Sequence, residues 1–351
     1  IRLYILGGKL KNMFCLFSSQ SIGIDITDYS LRLVMLSKKG KSIILEGYSE
    51  VFLAPEIVVN GEIKDSQKFS EAISKLIKNI KGNKKIKGEI IASPPEKQTF
   101  TVLVDNNEKI QNLDKKTEEI PEIILNNVKN YIPISIDNIY LDWRTVDKNK
   151  ILITASPKTI IDNYTTAFGK SNLPLTVIDI KTAAILRSIV VNKPKNKNSK
   201  LVIHIGESYS SIILGNNDVI EFTMNISLTN QMINNITSKK SNLSLPRTKK
   251  IKNNKIDTTK QILNEYLNEL VKNIKKVILF YAENNTNHGL IDNITICGAG
   301  AMLKDIDKLL KDRLKMEVKI GDPLINIDKN LLKIKNSISF TTAIGMALRG
   351  L

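Results

Sequence analysis

The first strongly patterned stretch alternates with a period of two. Ile22, Ile24 and Ile26 fall on one face and Gly23 and Asp25 on the other, which predicts a strand. Thr27, Asp28 and Ser30 supply turn chemistry, and the apolar run Leu31 to Leu36 resumes as a second strand. Ser42 to Phe52 reads as a third, completing an antiparallel meander. Beyond Asn60-Gly61-Glu62-Ile63 the period changes. Phe69, Ile73, Leu76, Ile77 and Ile80 recur at helical spacing behind Asp65 or Ser66 as cap, and Gly82 ends that helix. Glu89 to Ser93 is again a strand, running into Pro94-Pro95.

From about 94 to 165 the pattern predicts a small separate unit: strand Thr99 to Val104, polar loop Asn106 to Lys116, and a helix from near Pro121 to Asn130. Strands Ile139 to Val146 and Ile151 to Ser156 and a helix Lys158 to Gly169 complete it. Taken singly, Pro133 most simply ends a helix at Ile132, and Trp143 reads as core. Asn192 to Lys200 is a basic linker. Leu201 to Leu214 then repeats the opening pattern: apolar strand, Gly206, a small polar turn, apolar strand. A Lys/Asn-rich tract over 238–260, broken by Pro246, is expected to be a mobile insertion. The helix after it, from about Thr258 to Tyr281, carries Ile262, Tyr266, Leu270, Ile274 and Val277 on its apolar face. Ile294 to Met302 is a strand entering a glycine turn and then a helix over Ala301 to Lys315. The chain is thus expected to divide into a stub (1–19), a first lobe (20–93), an inserted unit (94–165) and the end of the first lobe with a linker (166–199). A second lobe (200–335) and a helix returning to the first lobe (336–351) follow.

Composition narrows the class. Length and 42% hydrophobic residues allow a large core in two lobes, and mean hydropathy is −0.11. No apolar run approaches the roughly 18 residues of a membrane span. The net charge of +17 is spread over nearly every polar face, and aromatics are only 5%. A nucleic-acid binder clusters its charge and interleaves aromatics, so the charge reads as solvated surface, with attraction to an anionic membrane face as the second reading. Cys15 and Cys297 are too few for a disulfide framework and fit a reducing cytoplasm. His204 and His288 offer no metal-ligand spacing. Residues 1–19 are expected to be a short apolar stub without a signal-peptide cleavage site, with Met13 as a candidate start.

An acid at a strand end beside exposed N–H groups and hydroxyls suits a phosphate and its metal: amides cradle the anion while the carboxylate holds Mg²⁺ through water. One such hairpin is equally an ordinary amphipathic hairpin with an acid at its tip. Two of them, roughly 180 residues apart and followed by a strand–glycine–helix element, follow the order of the actin-like ATPase superfamily. Within it, Val128-Lys129-Asn130-Tyr131-Ile132-Pro133-Ile134, Asp137 and Tyr140-Leu141-Asp142-Trp143 resemble the type IV pilus assembly protein PilM family, of the FtsA/PilM type. Asn60-Gly61-Glu62-Ile63 and the ending Thr341 to Gly350 fit it too, and the resemblance covers nearly the whole chain from residue 20.

The resemblance implies an α/β chain with the actin-like (ribonuclease H-like) two-lobed ATPase fold and a small inserted α+β subdomain in the first lobe. It implies ATP and Mg²⁺ as cofactors, held between the lobes. Asp25 is then the metal-side acid, with Thr27, Asp28, Ser30 and Arg32 around the phosphates. Gly206, Glu207, Ser208 and Tyr209 form the second clamp, Gly298, Ala299 and Gly300 let backbone approach the nucleotide, and Lys276 contacts adenosine. It implies a scaffold peripheral to the inner membrane on the cytoplasmic side. Its partner is the cytoplasmic tail of a PilN-like inner-membrane protein, captured at the inserted unit with Tyr131 and Ile132 lining the pocket, beside other pilus proteins or further copies. Three positions depart from the family pattern. His204 replaces the acid of the second Asp-Ile-Gly, Thr27 replaces the glycine of the first, and Asn273 stands in place of a ribose-holding glutamate. These losses bear on hydrolysis more than on binding, so slow or absent turnover is expected. A catalytic ATPase or kinase on the same fold, or an FtsA-like filament-forming division protein, are the alternatives.

Overall fold

The computed structural model describes residues 20–105, 121–147, 150–191, 199–216, 219–233, 249–284, 291, 293–328 and 332–351. The expected stub, the loop 106–116, residues 192–198 of the linker and residues 238–248 of the expected insertion lie outside the described residues.

The meander forms as the alternation dictates: β1 (Gln20–Ile26), β2 (Ser30–Lys39) and β3 (Ser42–Phe52) pair antiparallel in sequence. A short hairpin, β4 (Val58–Val59) with β5 (Glu62–Ile63), leads to α1 (Ser66–Lys78). Asp65 caps α1, its carboxylate accepting from the amides of Gln67 and Lys68, which satisfies donors the first turn leaves unpaired. The edge strand β6 (Lys81–Gly82) joins β3, while β7 (Glu89–Ala92) lies parallel to β1 on its other side.

A second, three-stranded sheet follows, in the order β8 (Phe100–Asp105), β10 (Lys150–Pro157), β9 (Ile139–Asp147), with α2 (Glu122–Tyr131) against it. Its core holds Val104, Ile124, Val128, Ile132, Ile139, Ile151 and Ile153. The chain then returns through α3 (Lys158–Lys170) to β11 (Val177–Ile178), which extends the first sheet to the order β11-β7-β1-β2-β3-β6, and on into α4 (Lys181–Ile189).

The second lobe repeats this plan. β12 (Lys200–Ile205), β13 (Ser210–Asn216) and β14 (Val219–Ile226) are again an antiparallel meander, flanked on the β12 side by the parallel strands β15 (Asn293–Cys297) and β16 (Glu317–Ile320). The long helix α5 (Lys249–Asn284) begins ahead of the expected Thr258, so the end of the tract read as an insertion is helical. The stretch after Pro246 contains no proline or glycine, and lysine favours helix. The helix expected over Ala301 to Lys315 divides into a 3₁₀ turn at Ala299–Met302 and α6 (Ile306–Leu314), with Asp305 in the left-handed region between them (φ 57°).

The large sheet of each lobe is covered on both faces. In the first lobe α1 and α3 pack on one face through Phe69, Ile73, Leu76, Tyr164 and Phe168. The other face carries α7 (Thr341–Arg349), through Ile344 and Ala347 against Val34 and Leu36. In the second lobe α5 and α6 cover one face, and α4 covers the other through Ile185, Leu186 and Ile189 against Val202 and Ile213. Met346 of α7 also packs with Ala184 of α4. α4 is therefore the helix between the lobes, buried all round except at Arg187. Its first residue, Lys181, is brought to the carboxyl end of β1. Close approach makes this stacking possible: a Cβ on Gly23 of β1 would lie 2.0 Å from the Ala343 carbonyl of α7.

Candidate functional site

The site lies where the tips of the two meanders meet. The turn after β1 is built by Thr27, whose Oγ1 accepts from the amides of Tyr29 and Ser30 at 3.2 and 2.9 Å. A hydroxyl beside its own backbone is what makes Thr and Ser turn formers, and it leaves Thr27 Oγ1 and Ser30 Oγ together at the tip, 3.2 Å apart. Arg32, two residues into β2, lies 4% exposed beside them.

Glu207, from the turn after β12, reaches into this cluster. One carboxylate oxygen is 2.9 Å from Thr27 Oγ1 and 2.7 Å from Ser30 Oγ, and the other accepts from the Arg32 guanidinium at 2.6 Å. Burial alone would raise the Glu207 carboxyl. The Arg32 charge and these hydrogen bonds overturn that and hold it below the usual carboxylate range. Arg32 is shared with Glu50 on β3, 2.6 Å from its Nε. Ser208 adds a further link between the lobes, accepting from the Asp28 amide at 3.1 Å.

Asp25 ends β1 on the other side of the tip, 4% exposed. Its partner is Lys181 of α4, whose ammonium stands 2.8 Å away and also donates to the Ile26 carbonyl at 3.4 Å. Burial pushes the Asp25 carboxyl up, but Lys181 prevails and holds it below its ordinary value. Lys181 is in turn raised: the charge of Asp25 outweighs its desolvation. Its Nζ lies 5.3 Å from the centre of the Tyr209 ring, within the range of a cation–π contact. His204, at the matching end of β12, is 7% exposed, and its Nδ1 has no hydrogen-bond partner. Burial, with the neighbouring Lys181 charge, pushes it down to about 4, so the ring is neutral at physiological pH.

The structure thus brings together Asp25, Thr27, Ser30, Arg32, Gly206, Glu207, Ser208, Tyr209 and Ala299 around one cleft. Other expected site residues are placed differently. The Asp28 carboxylate turns away to accept from the amides of Asn60 and Gly61, which fixes the β4–β5 hairpin instead of facing an anion. Gly298 (φ 84°) and Gly300 are required by the end of β12, because a Cβ there would lie 2.6 Å from the Ile205 carbonyl and 2.1 Å from the Ile205 side chain, respectively. Lys276 is exposed on α5 and is not among the residues lining the cleft, and Asn273 donates to the Glu269 carbonyl within the helix. Tyr131 is 59% exposed, whereas Ile132 is 5% exposed and belongs to the subdomain core, so it lines no surface pocket. Lys181 was missed by the sequence reading. The available signal was a charge at the head of an apolar run, Ile180-Lys181-Thr182-Ala183-Ala184-Ile185-Leu186.

A family model described as type IV pilus assembly protein PilM matches residues 23–351. The chain belongs to the PilM family. Among solved structures, one titled as a PilM–PilN type IV pilus biogenesis complex is similar with a TM-score of 0.74 and 17% identity, over 94% of this chain and 98% of that one. The ethanolamine utilization protein EutJ from Carboxydothermus hydrogenoformans matches with a TM-score of 0.53 and 13% identity, over 95% and 91%. MreB 5 of Spiroplasma citri, bound to AMPPNP, matches with 0.52 and 10%, over 95% and 96%. These likenesses establish the actin-like fold for this PilM-family chain.

ATP with Mg²⁺, expected from the resemblance, can be tested against these residues. The phosphate half fits: two hydroxyls and a guanidinium converge on a carboxylate, and the same donors suit a phosphate oxygen. The metal half does not fit in this arrangement. The Asp25 carboxylate faces an ammonium, the second acid is a neutral histidine, and no group of three His, Cys, Asp or Glu that could hold a metal occurs among the described residues. The cavity between the side chains has about 20 Å³, room for about one water molecule. A cavity of that volume does not hold a triphosphate.

Proposed function

We propose that this PilM-family chain is a scaffold of type IV pilus assembly that engages the cytoplasmic tail of a PilN-like inner-membrane protein and responds to nucleotide between its lobes. The observation that carries the reading is the family match across residues 23–351. The similar PilM–PilN complex supports a partner of that kind, and AMPPNP in MreB 5 supports a nucleotide between the lobes. The inserted three-stranded sheet supports the peptide role: β8 and β9 are its two edges, and an extended segment gains affinity by adding main-chain hydrogen bonds to such an edge. Tyr131, large and exposed at the end of α2, is the residue of this unit we assign to the peptide. Recruitment through that partner places the chain at the cytoplasmic face of the inner membrane. No helix among the described residues is long and apolar enough to cross a membrane.

Turnover is slow or absent under this reading. Phosphoryl transfer depends on placed charge and an oriented nucleophile. The Asp25 and Glu207 carboxylates are both engaged by cations of the chain itself, and His204 carries no charge. The catalytic ATPase or kinase reading has no observation in its favour. The test is a pull-down of membrane proteins with the wild-type chain and with Tyr131→Glu, read by mass spectrometry. Wild type is expected to retain a small single-span protein whose cytoplasmic tail alone competes, and Tyr131→Glu is expected to lose it. Equal retention by both removes Tyr131 from the interaction.

A further inference from the structure

The cleft contains a complete set of counter-ions, all supplied by the chain. On one side the donors Thr27 Oγ1, Ser30 Oγ and Arg32 surround an anion, and that anion is Glu207 of the opposite lobe. On the other side the acid at the end of β1 faces a cation, and that cation is Lys181. Hydroxyls and a guanidinium around a point are the chemistry of a phosphate site. A buried carboxylate at a strand end is the chemistry of a cation site. We infer that Glu207 and Lys181 are resident substitutes for a phosphate and its metal: the lobes close on each other without ligand, and a polyphosphate binds by displacing Glu207, with Lys181 making a divalent cation unnecessary.

Three observations beyond these contacts point the same way. His204 Nδ1 lines the cleft without a hydrogen-bond partner, so the site has an unused polar atom for whatever replaces Glu207. The Asp28 amide to Ser208 bond joins the same two turns, so a second link between the lobes holds Glu207 against the donors of the opposite turn. Lys181 is fixed by three groups, namely Asp25, the Ile26 carbonyl and the Tyr209 ring. It opens a helix buried between the lobes, so it stays when Glu207 leaves.

The inference rests on the nucleotide part of the proposed function, and the experiment separates the two. Pyrophosphate and ATP are titrated calorimetrically into wild type, Glu207→Gln and Glu207→Ala, each in EDTA and in Mg²⁺, and melting of the ligand-free proteins is recorded. The glutamine variant keeps an acceptor for the hydroxyls in case the alanine variant does not fold. Both variants are expected to bind pyrophosphate about tenfold more tightly than wild type, because Arg32 is left without its interlobe anion. Their ligand-free melting temperatures are expected to fall, and affinities in EDTA and Mg²⁺ to agree within about twofold. Binding present but weakened by the substitutions, or lost in EDTA, overturns the inference and leaves the nucleotide reading standing. Absence of binding in every arm overturns both.

Discussion

Glu96 gives the sharpest test of how tightly the lobes meet. It follows β7 in the first lobe, is 7% exposed, and accepts from Ser211 of β13 in the second lobe at 3.2 Å, while its other oxygen has no partner. Burial pushes its pKa from 4.5 up to about 7, partly offset by the Lys181 charge and the Ser211 hydrogen bond. Between these two values the folded protein holds a proton that the unfolded chain has released. Stability from this group is therefore full below pH 4.5 and is lost as pH rises through 7. The full loss corresponds to roughly 3 kcal/mol, of which about 2 to 3 kcal/mol falls between pH 5 and pH 8. Glu96→Gln keeps the shape and the acceptor but cannot ionise. In urea unfolding at pH 5, 6, 7 and 8, the variant should match wild type within about 1 kcal/mol at pH 5 and exceed it by about 2 kcal/mol at pH 8. Taking the difference between the two proteins removes the other titrating groups. A difference that stays constant across this range would refute the reasoning, because it would mean that water reaches Glu96 and the seam between the lobes is open.

Other expectations concern packing and charge. Gly23→Ala should cost about 3 kcal/mol in chemical denaturation, since the new Cβ meets the Ala343 carbonyl at 2.0 Å, whereas Gly40→Ala, with nothing within 4 Å and φ 63°, should cost only about 1 kcal/mol. Ile132→Ala should lower stability by about 2 to 4 kcal/mol, while Tyr131→Ala should stay within about 0.5 kcal/mol; reversal of that order would show that the exposed and buried faces at the end of α2 are misassigned. Arg187→Met should cost about 3 kcal/mol, because Asp179, 2% exposed, loses its 2.8 Å partner and keeps, among the described residues, the more distant Arg349 at 3.9 Å. Thermal melts at pH 7 and pH 4 check the last point: burial would raise Asp179, but Arg187 overturns this and holds it below its ordinary value, so wild type keeps the carboxylate ionised at pH 4. In the variant burial prevails and the carboxyl takes up a proton in acid, so the wild-type advantage should shrink there.

Local pattern alone determined much of this protein. The alternating run around Ile22 and the apolar run from Leu201, each followed by a polar turn and a second apolar run, specify hairpins, and their recurrence with a strand–glycine element specifies two lobes of one plan. The proline-bounded motif around Tyr131 and Ile132 marked the family, because such short signatures are legible residue by residue. Direction and pairing were decided elsewhere. That Ile132 is core and Tyr131 exposed depends on how α2 meets its sheet, and the early start of α5 is helix propensity prevailing over a composition that resembled a loop. The ionic content of the cleft was decided only by the tertiary structure. Glu207 and Arg32 are 175 residues apart, and Lys181 meets Asp25 only because α4 is carried between two sheets. Neither the lysine at the start of an apolar helix nor the glutamate in a polar turn takes its partner from the neighbouring residues. What each charge does is set by the opposite charge that folding brings against it, in a place water has left.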